Sequence, residues 1–144
     1  MPHRFLPHTA DIRVEVTAPS LGALLSDCAA VVRELVAGDS PVSESDERSF
    51  NVRGFKRWGG SREPAESIFE FVRALLEAFE IDGFIPARVK DVYYHSGDYT
   101  LVIRGERFDP AKHATQPEVK ALTRHGLEVR ATPDSWRAEM VFDV

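Results

Sequence analysis

The sequence predicts an α/β fold of two layers, in which two helices pack on a mixed or antiparallel sheet within a single domain covering residues 1–144. Three observations carry this. Two long segments place apolar residues at helical spacing, the other apolar residues recur with period two, and the later period-two segments follow one another without a helix between them. A doubly wound parallel sheet would need those missing crossover helices, whereas strands joined by turns pair antiparallel. A chain of 144 residues can bury roughly two-thirds of its unfolded surface, so one core suffices.

The elements follow in order. From Asp11 to Ala18, Ile12, Val14 and Val16 alternate with Arg13, Glu15 and Thr17, which predicts a half-buried strand with Asp11 on its wet face. After Pro19, Ser20 is suited to cap a helix, and Leu21, Leu24, Leu25, Cys28, Val31, Val32 and Leu35 form its apolar stripe up to Gly38. Residues 39–47 are turn-rich and acidic, and Phe50, Val52, Gly54 and Phe55 mark a weaker strand. The stretch GFKRWGGSREP, residues 54–64, is rich in breakers and basic groups, and suits either an ordinary connection or a contact loop. Pro64 opens a second helix, striped by Ile68, Phe69, Val72, Leu75, Leu76 and Phe79 and stopped at Asp82-Gly83. Strands are expected over Ala87–His95 and Tyr99–Gly105, joined by Ser96-Gly97-Asp98. A polar loop from Phe108 then leads to a strand over Leu127–Ala131, and the terminal WRAEMVFDV alternates so that Asp143 lies on its more polar side.

Composition narrows the function classes. With 43% hydrophobic and 28% charged residues the chain has the means to build a core, so disorder is not expected. A net charge of −5 argues against nucleic-acid binding by counterion release alone, which needs clustered Lys and Arg. No apolar run reaches the length of a membrane span and no signal peptide is evident, so a cytoplasmic location is expected. Cys28 is the single cysteine, which excludes an internal disulfide, and its apolar neighbours predict a buried, inert thiol. The five histidines lack zinc-ligand spacing, and no phosphate loop, dinucleotide fingerprint or nucleophile elbow occurs. Lys120, Arg124 and His125 form a local cationic group that suits a phosphate, a partner's carboxylate, or simply a solvated edge.

Asp11 heads the first long strand and Asp143 ends the last one. The two become neighbours only if those strands lie side by side and antiparallel; in a parallel pair of six-residue strands they would stand about 20 Å apart. The α-carboxylate of Val144 would add a third oxygen donor to the same volume. Carboxylates brought together repel unless a proton or cation stands between them, and all-oxygen ligation favours Ca2+ or Mg2+ over Zn2+. Two solvated strand-end aspartates are the other reading of the same residues.

HTADI (residues 8–12), the leucine-rich helix from Ser20-Leu21, FDPAKH (108–113), EVKALTRHGLEV (118–129) and the terminal FDV (142–144) together resemble the archease family over essentially the whole chain. The resemblance implies a compact α/β fold and a protein cofactor, not itself a catalyst, of the RtcB-type RNA ligase of tRNA splicing and RNA repair. Such a protein promotes GTP-dependent guanylylation of the ligase and its multiple turnover, and meets tRNA only through the ligase. The resemblance carries the family's metal ligands onto Asp11, Asp143 and the Val144 carboxylate, with Ca2+ as the first expectation and Mg2+ or Mn2+ as alternatives. It carries the family's functional lysine onto Lys120. A chaperone-like adaptor for RNA-processing proteins, with a purely structural cation, is the alternative function. Departures stand at Arg13, where many relatives have glycine, at Arg124, where many have tyrosine, and in the longer, more basic 54–64 stretch.

Overall fold

The structure, a computed structural model, describes residues 3–6, 11–53, 64–116 and 118–144. Among these, the chain runs β1 (His3–Leu6), β2 (Asp11–Ala18), α1 (Leu21–Ala37), β3 (Asp46–Val52), α2 (Pro64–Asp82), β4 (Phe84–His95), β5 (Asp98–Arg107), β6 (Ala121–Leu122), β7 (Glu128–Ala131) and β8 (Trp136–Asp143). Every strand pairing is antiparallel. The expected helices packed on an antiparallel sheet are present, with the strands divided over two sheets rather than one. The first places β2 between β1 and β8, and the far edge of β8 is shared by β6 and β7. The second has the order β3-β5-β4. Alternation identifies a strand's apolar face but not the sheet it joins, and both helices touch strands of both sheets.

The helix ends follow their local chemistry. The Ser20 hydroxyl accepts from the Ala23 N–H at 3.1 Å, and Gly38, at φ 58°, donates its N–H to the Glu34 carbonyl at 2.9 Å. Between these ends the stripe of α1 is buried from Leu21 to Ala37, and α2 buries Ile68, Phe71, Val72 and Leu75. Val14, Val16, Ala138, Met140 and Phe142 face them from the first sheet, and Phe84, Ile85, Leu101 and Ile103 from the second.

Cys28 has no exposed surface, and burial pushes its thiol up to about 12. A thiolate is therefore scarcely populated at neutral pH. The native protein is expected not to react with a disulfide reagent over minutes, while the unfolded chain in guanidinium releases one equivalent; rapid reaction of the native form would contradict this packing.

Several elements differ from the sequence-based expectation, including β6, which falls where a polar loop is expected, and β4, which begins at Phe84 rather than Ala87. β3 begins at Asp46, inside the stretch read as a loop, because an exposed strand can be polar: Glu47 meets Lys90 and Arg104, and Arg48 meets Asp82. β1, which alternation did not reveal in four residues, pairs with β2 through His3↔Val16 to Leu6↔Arg13. In the β4–β5 hairpin the turn is Ser96-Gly97, both at positive φ (51° and 90°), so Asp98 already pairs with His95. Residues 54–63 of the basic stretch lie outside the described residues, as do His8 and Thr9.

Candidate functional site

β2 and β8 lie side by side and antiparallel, and their register makes Asp11 the direct partner of Asp143. Direct partners in such a ladder have Cα atoms about 4.5–5.5 Å apart and side chains on one face. The topology that the two aspartates required is therefore the one observed. On the other side of β8, Ala121 is the direct partner of Asp143, and the Lys120 N–H donates to the Asp143 carbonyl at 2.8 Å. Three strands thus converge at one corner, with Asp143 in the middle and Val144 continuing beyond it.

Alternation separates the groups gathered there. Asp11, Asp143 and Ala121 lie on the face away from the helices, because their neighbours Phe142 and Leu122 are buried on the other. Asp143 is exposed and Asp11 half-buried, with its Oδ1 out of contact with solvent. Lys120 shares the parity of Leu122 and lines a cavity on the helix side; among the described residues its ammonium forms no ion pair. Val144 is 44% exposed. Among the described residues no group of three or more His, Cys, Asp or Glu side chains is placed to hold a metal, so the carboxylate donors at this corner number two side chains and whatever the Val144 main chain adds.

The outward face next to the corner is laced with ion pairs. Arg13 Nε donates to Glu139 at 2.6 Å, and Glu15 is held by Arg4 and Arg137. Arg13 therefore directs its charge along the sheet to Glu139. The cationic group expected from Lys120, Arg124 and His125 is dispersed. Arg124 binds Glu66 and lies 3.9 Å over the Phe69 ring, His125 is exposed, and Lys120 points elsewhere. A guanidinium with a carboxylate and an aromatic face for partners is anchored to α2, not held open for a phosphate.

The FDPAKH segment proves to be an anchor that sequence patterning did not expose. His113 is buried; its Nδ1 accepts from the Asp109 N–H at 2.9 Å, which leaves Nε2 carrying the hydrogen towards the Pro41 carbonyl (3.1 Å) and Glu106 (3.2 Å). Glu106 in turn accepts from Lys112 at 2.8 Å and from the Ser43 N–H at 2.5 Å. Burial pushes the Glu106 carboxyl up, but the bonds from Lys112 and from the main chain and hydroxyl of Ser43 outweigh it and bring it from 4.5 down to about 2. A depressed folded-state value means that the stabilisation is fully present above pH 4.5 and is lost as the pH falls towards 2. Glu106→Gln is expected to lower the melting temperature at pH 7 and to flatten its decline over that window; a decline as steep as in the unaltered protein would contradict the assignment.

Comparison with known proteins agrees with this architecture. Residues 3–144 match the model of the Archease protein family (MTH1598/TM1083). The chain is 30% identical over 143 residues to the protein archease of Pyrococcus abyssi, covering 95% of this chain and 94% of that one. The solution structure of Methanobacterium thermoautotrophicum protein 1598 superposes with a TM-score of 0.79 at 18% identity, over 99% of both chains. The crystal structure of an archease from Thermotoga maritima, described as a possible chaperone, gives 0.68 at 22% identity, over 96% of this chain and 94% of that one. The two structures share the fold, and the family model, which spans nearly the whole sequence, shows that the chain belongs to the archease family.

Proposed function

We propose that this protein is a non-catalytic activator of an RtcB-type RNA ligase in tRNA splicing and RNA repair, promoting GTP-dependent guanylylation of the ligase and its multiple turnover. The observation that carries the reading is the register pairing of Asp11 with Asp143, aspartates from the two ends of the chain set opposite each other at one sheet corner. Like charges directly opposed across strands are destabilising, and an all-oxygen donor pair suits a hard cation, Ca2+ first, with Mg2+ or Mn2+ as alternatives. Asp11 and Asp143 would hold it from adjacent strands, and a free α-carboxylate on Val144 would complete a third side. When bound, the cation supplies neutralisation and orientation of phosphate oxygens.

The chain's own residues do the rest. The two carboxylates fix the charge at an exposed corner that can enter a partner's cleft. Lys120, tied to Asp143 through the main chain, steadies a phosphate or a ligase carboxylate. The net charge of −5 agrees with a protein that meets tRNA only through the ligase, in the cytoplasm.

The second reading is a chaperone-like adaptor with a structural cation, in line with the description of the Thermotoga maritima relative as a possible chaperone. Single-turnover guanylylation of the ligase from the same organism separates the two. Asp11→Ala, Asp143→Ala and Lys120→Ala are each expected to lose most of the stimulation. Full stimulation by all three would contradict the activator site, and full stimulation together with a cation-dependent melting temperature would favour the adaptor.

A further inference from the structure

We infer that the cavity between the helix ends, Phe108 and residues 118–120 is a docking site for an apolar side chain of the partner protein that carries a lysine or arginine beside it. The inference rests on the ligase-activator reading for the partner's identity and on separate observations for the site. The cavity holds about 500 Å³, enough for one or two large side chains, and Leu35, Leu76, Phe79 and Phe108 form its walls.

Its polar groups have an unusual placement. A small-molecule site converges buried donors and acceptors on its ligand, but Glu80, Glu118 and Lys120 all stand exposed around an apolar floor. An apolar centre within a charged, solvated rim is how an interface anchor is received.

Among the described residues the charges of the rim are also without ion-pair partners. Elsewhere the glutamates are engaged: Glu15, Glu44, Glu47, Glu66, Glu106 and Glu139 each hold an arginine or lysine. Among the described residues Glu80 and Glu118 hold none. Both helices present their C-terminal turns to the cavity through Leu35, Val36, Phe79 and Glu80, and the carbonyl ends of helices add to the negative potential. A cation next to the apolar anchor is the complement of Glu80 and Glu118, whose two charges outnumber the single one of Lys120.

The position links docking to the corner already described. Lys120 belongs to the cavity by its side chain and to the aspartate corner by its N–H bond to Asp143. A partner seated here meets the sheet edge one strand from Asp143, on the opposite face from its side chain, so that the apolar anchor sets the register in which the partner reaches around β6 to the corner.

The test uses the complete protein and the ligase of the same organism, with binding followed by biolayer interferometry and stimulation by single-turnover guanylylation. Glu80→Lys/Glu118→Lys reverses the rim, and Val119→Trp, from a half-buried position, fills the cavity; melting curves check that both remain folded. Each is expected to weaken binding at least tenfold and to raise the concentration needed for half-maximal stimulation by the same factor, with the plateau retained. Unchanged affinity in folded variants overturns the docking site while leaving the activator function standing. Affinity that depends on the rim, without stimulation even by the unaltered protein, sinks the activator function and leaves the docking site. A change in self-association in place of ligase affinity would identify a second copy as the occupant and overturn the inference.

Discussion

Asp143→Asn is expected to melt above the unaltered protein when divalent cations are chelated, and below it in excess Ca2+. The two halves have separate causes. Without a cation, Asp11 and Asp143 oppose each other in register, an arrangement that costs on the order of 0.2–1 kcal/mol for like charges across strands, and the amide removes it. With a cation at a hundred times its dissociation constant, the folded state gains about 2.7 kcal/mol, and the variant forgoes most of it. In a domain of this size each kcal/mol moves the melting temperature by about 2–8 °C, so both signs are measurable by scanning calorimetry. Parallel melting of the two proteins in both buffers would mean that the pair is not a cation site. The asparagine keeps the volume and the strand pairing, so only charge differs between the two proteins.

Gly105→Ala is expected to be the most damaging added methyl among the described glycines. Gly105 lies in the middle of the second sheet, opposite Asp46 on β3 and Pro86 on β4. A Cβ there would stand 2.0 Å from the Ile85 carbonyl oxygen and 3.0 Å from the Phe84 ring. The overlap is with main chain, which cannot rotate away, and it falls where β4 is irregular between Pro86 and Arg88. Relief requires β4 to part from β5, carrying the buried Phe84 and Ile85 with it. The cost should exceed about 3 kcal/mol, and the melting temperature should fall by roughly 10 °C or more. Gly22 is the control. A Cβ at Gly22 meets only Val92 Cγ1 at 3.6 Å, so Gly22→Ala in α1 should be neutral or stabilising by up to about 1 kcal/mol. Equal melting of the Gly105 and Gly22 variants would contradict the close approach of the two strands.

The contrast between these residues shows what the sequence could reveal. Both helices, the caps of α1 and the last strand were legible because burial imposes a period on long segments, and the stripe of α1 runs unbroken from Leu21 to Leu35. Asp11 and Asp143 were legible as strand-end carboxylates, and the antiparallel condition for their meeting could be stated beforehand, but only the register shows it met. Short or exposed strands were not legible. β1 has four residues, β6 has two, and β3 is polar on its exposed positions, so none carries enough alternation to stand out. The partition into two sheets was hidden for a related reason, since the strand pattern says which face is buried and nothing about which strand lies alongside.

The side-chain partnerships were least legible. Arg124 looked like part of a cationic cluster until Glu66 and Phe69, distant in sequence, proved to hold it. His113 looked like one loop histidine among five, and its burial against Pro41 and Glu106 depends on a chain crossing that no local pattern encodes. Lys120 stands at the expected corner by its main chain, yet its side chain opens onto the cavity, because strand parity sends neighbours to opposite faces.

Calorimetric titration of the isolated protein with Ca2+ addresses the central claim without needing the ligase. The unaltered protein should bind one ion, and Asp11→Asn or Asp143→Asn should each weaken that binding at least a hundredfold while both remain folded. Undiminished binding in both variants would place the ion elsewhere and remove the corner from any role in holding it.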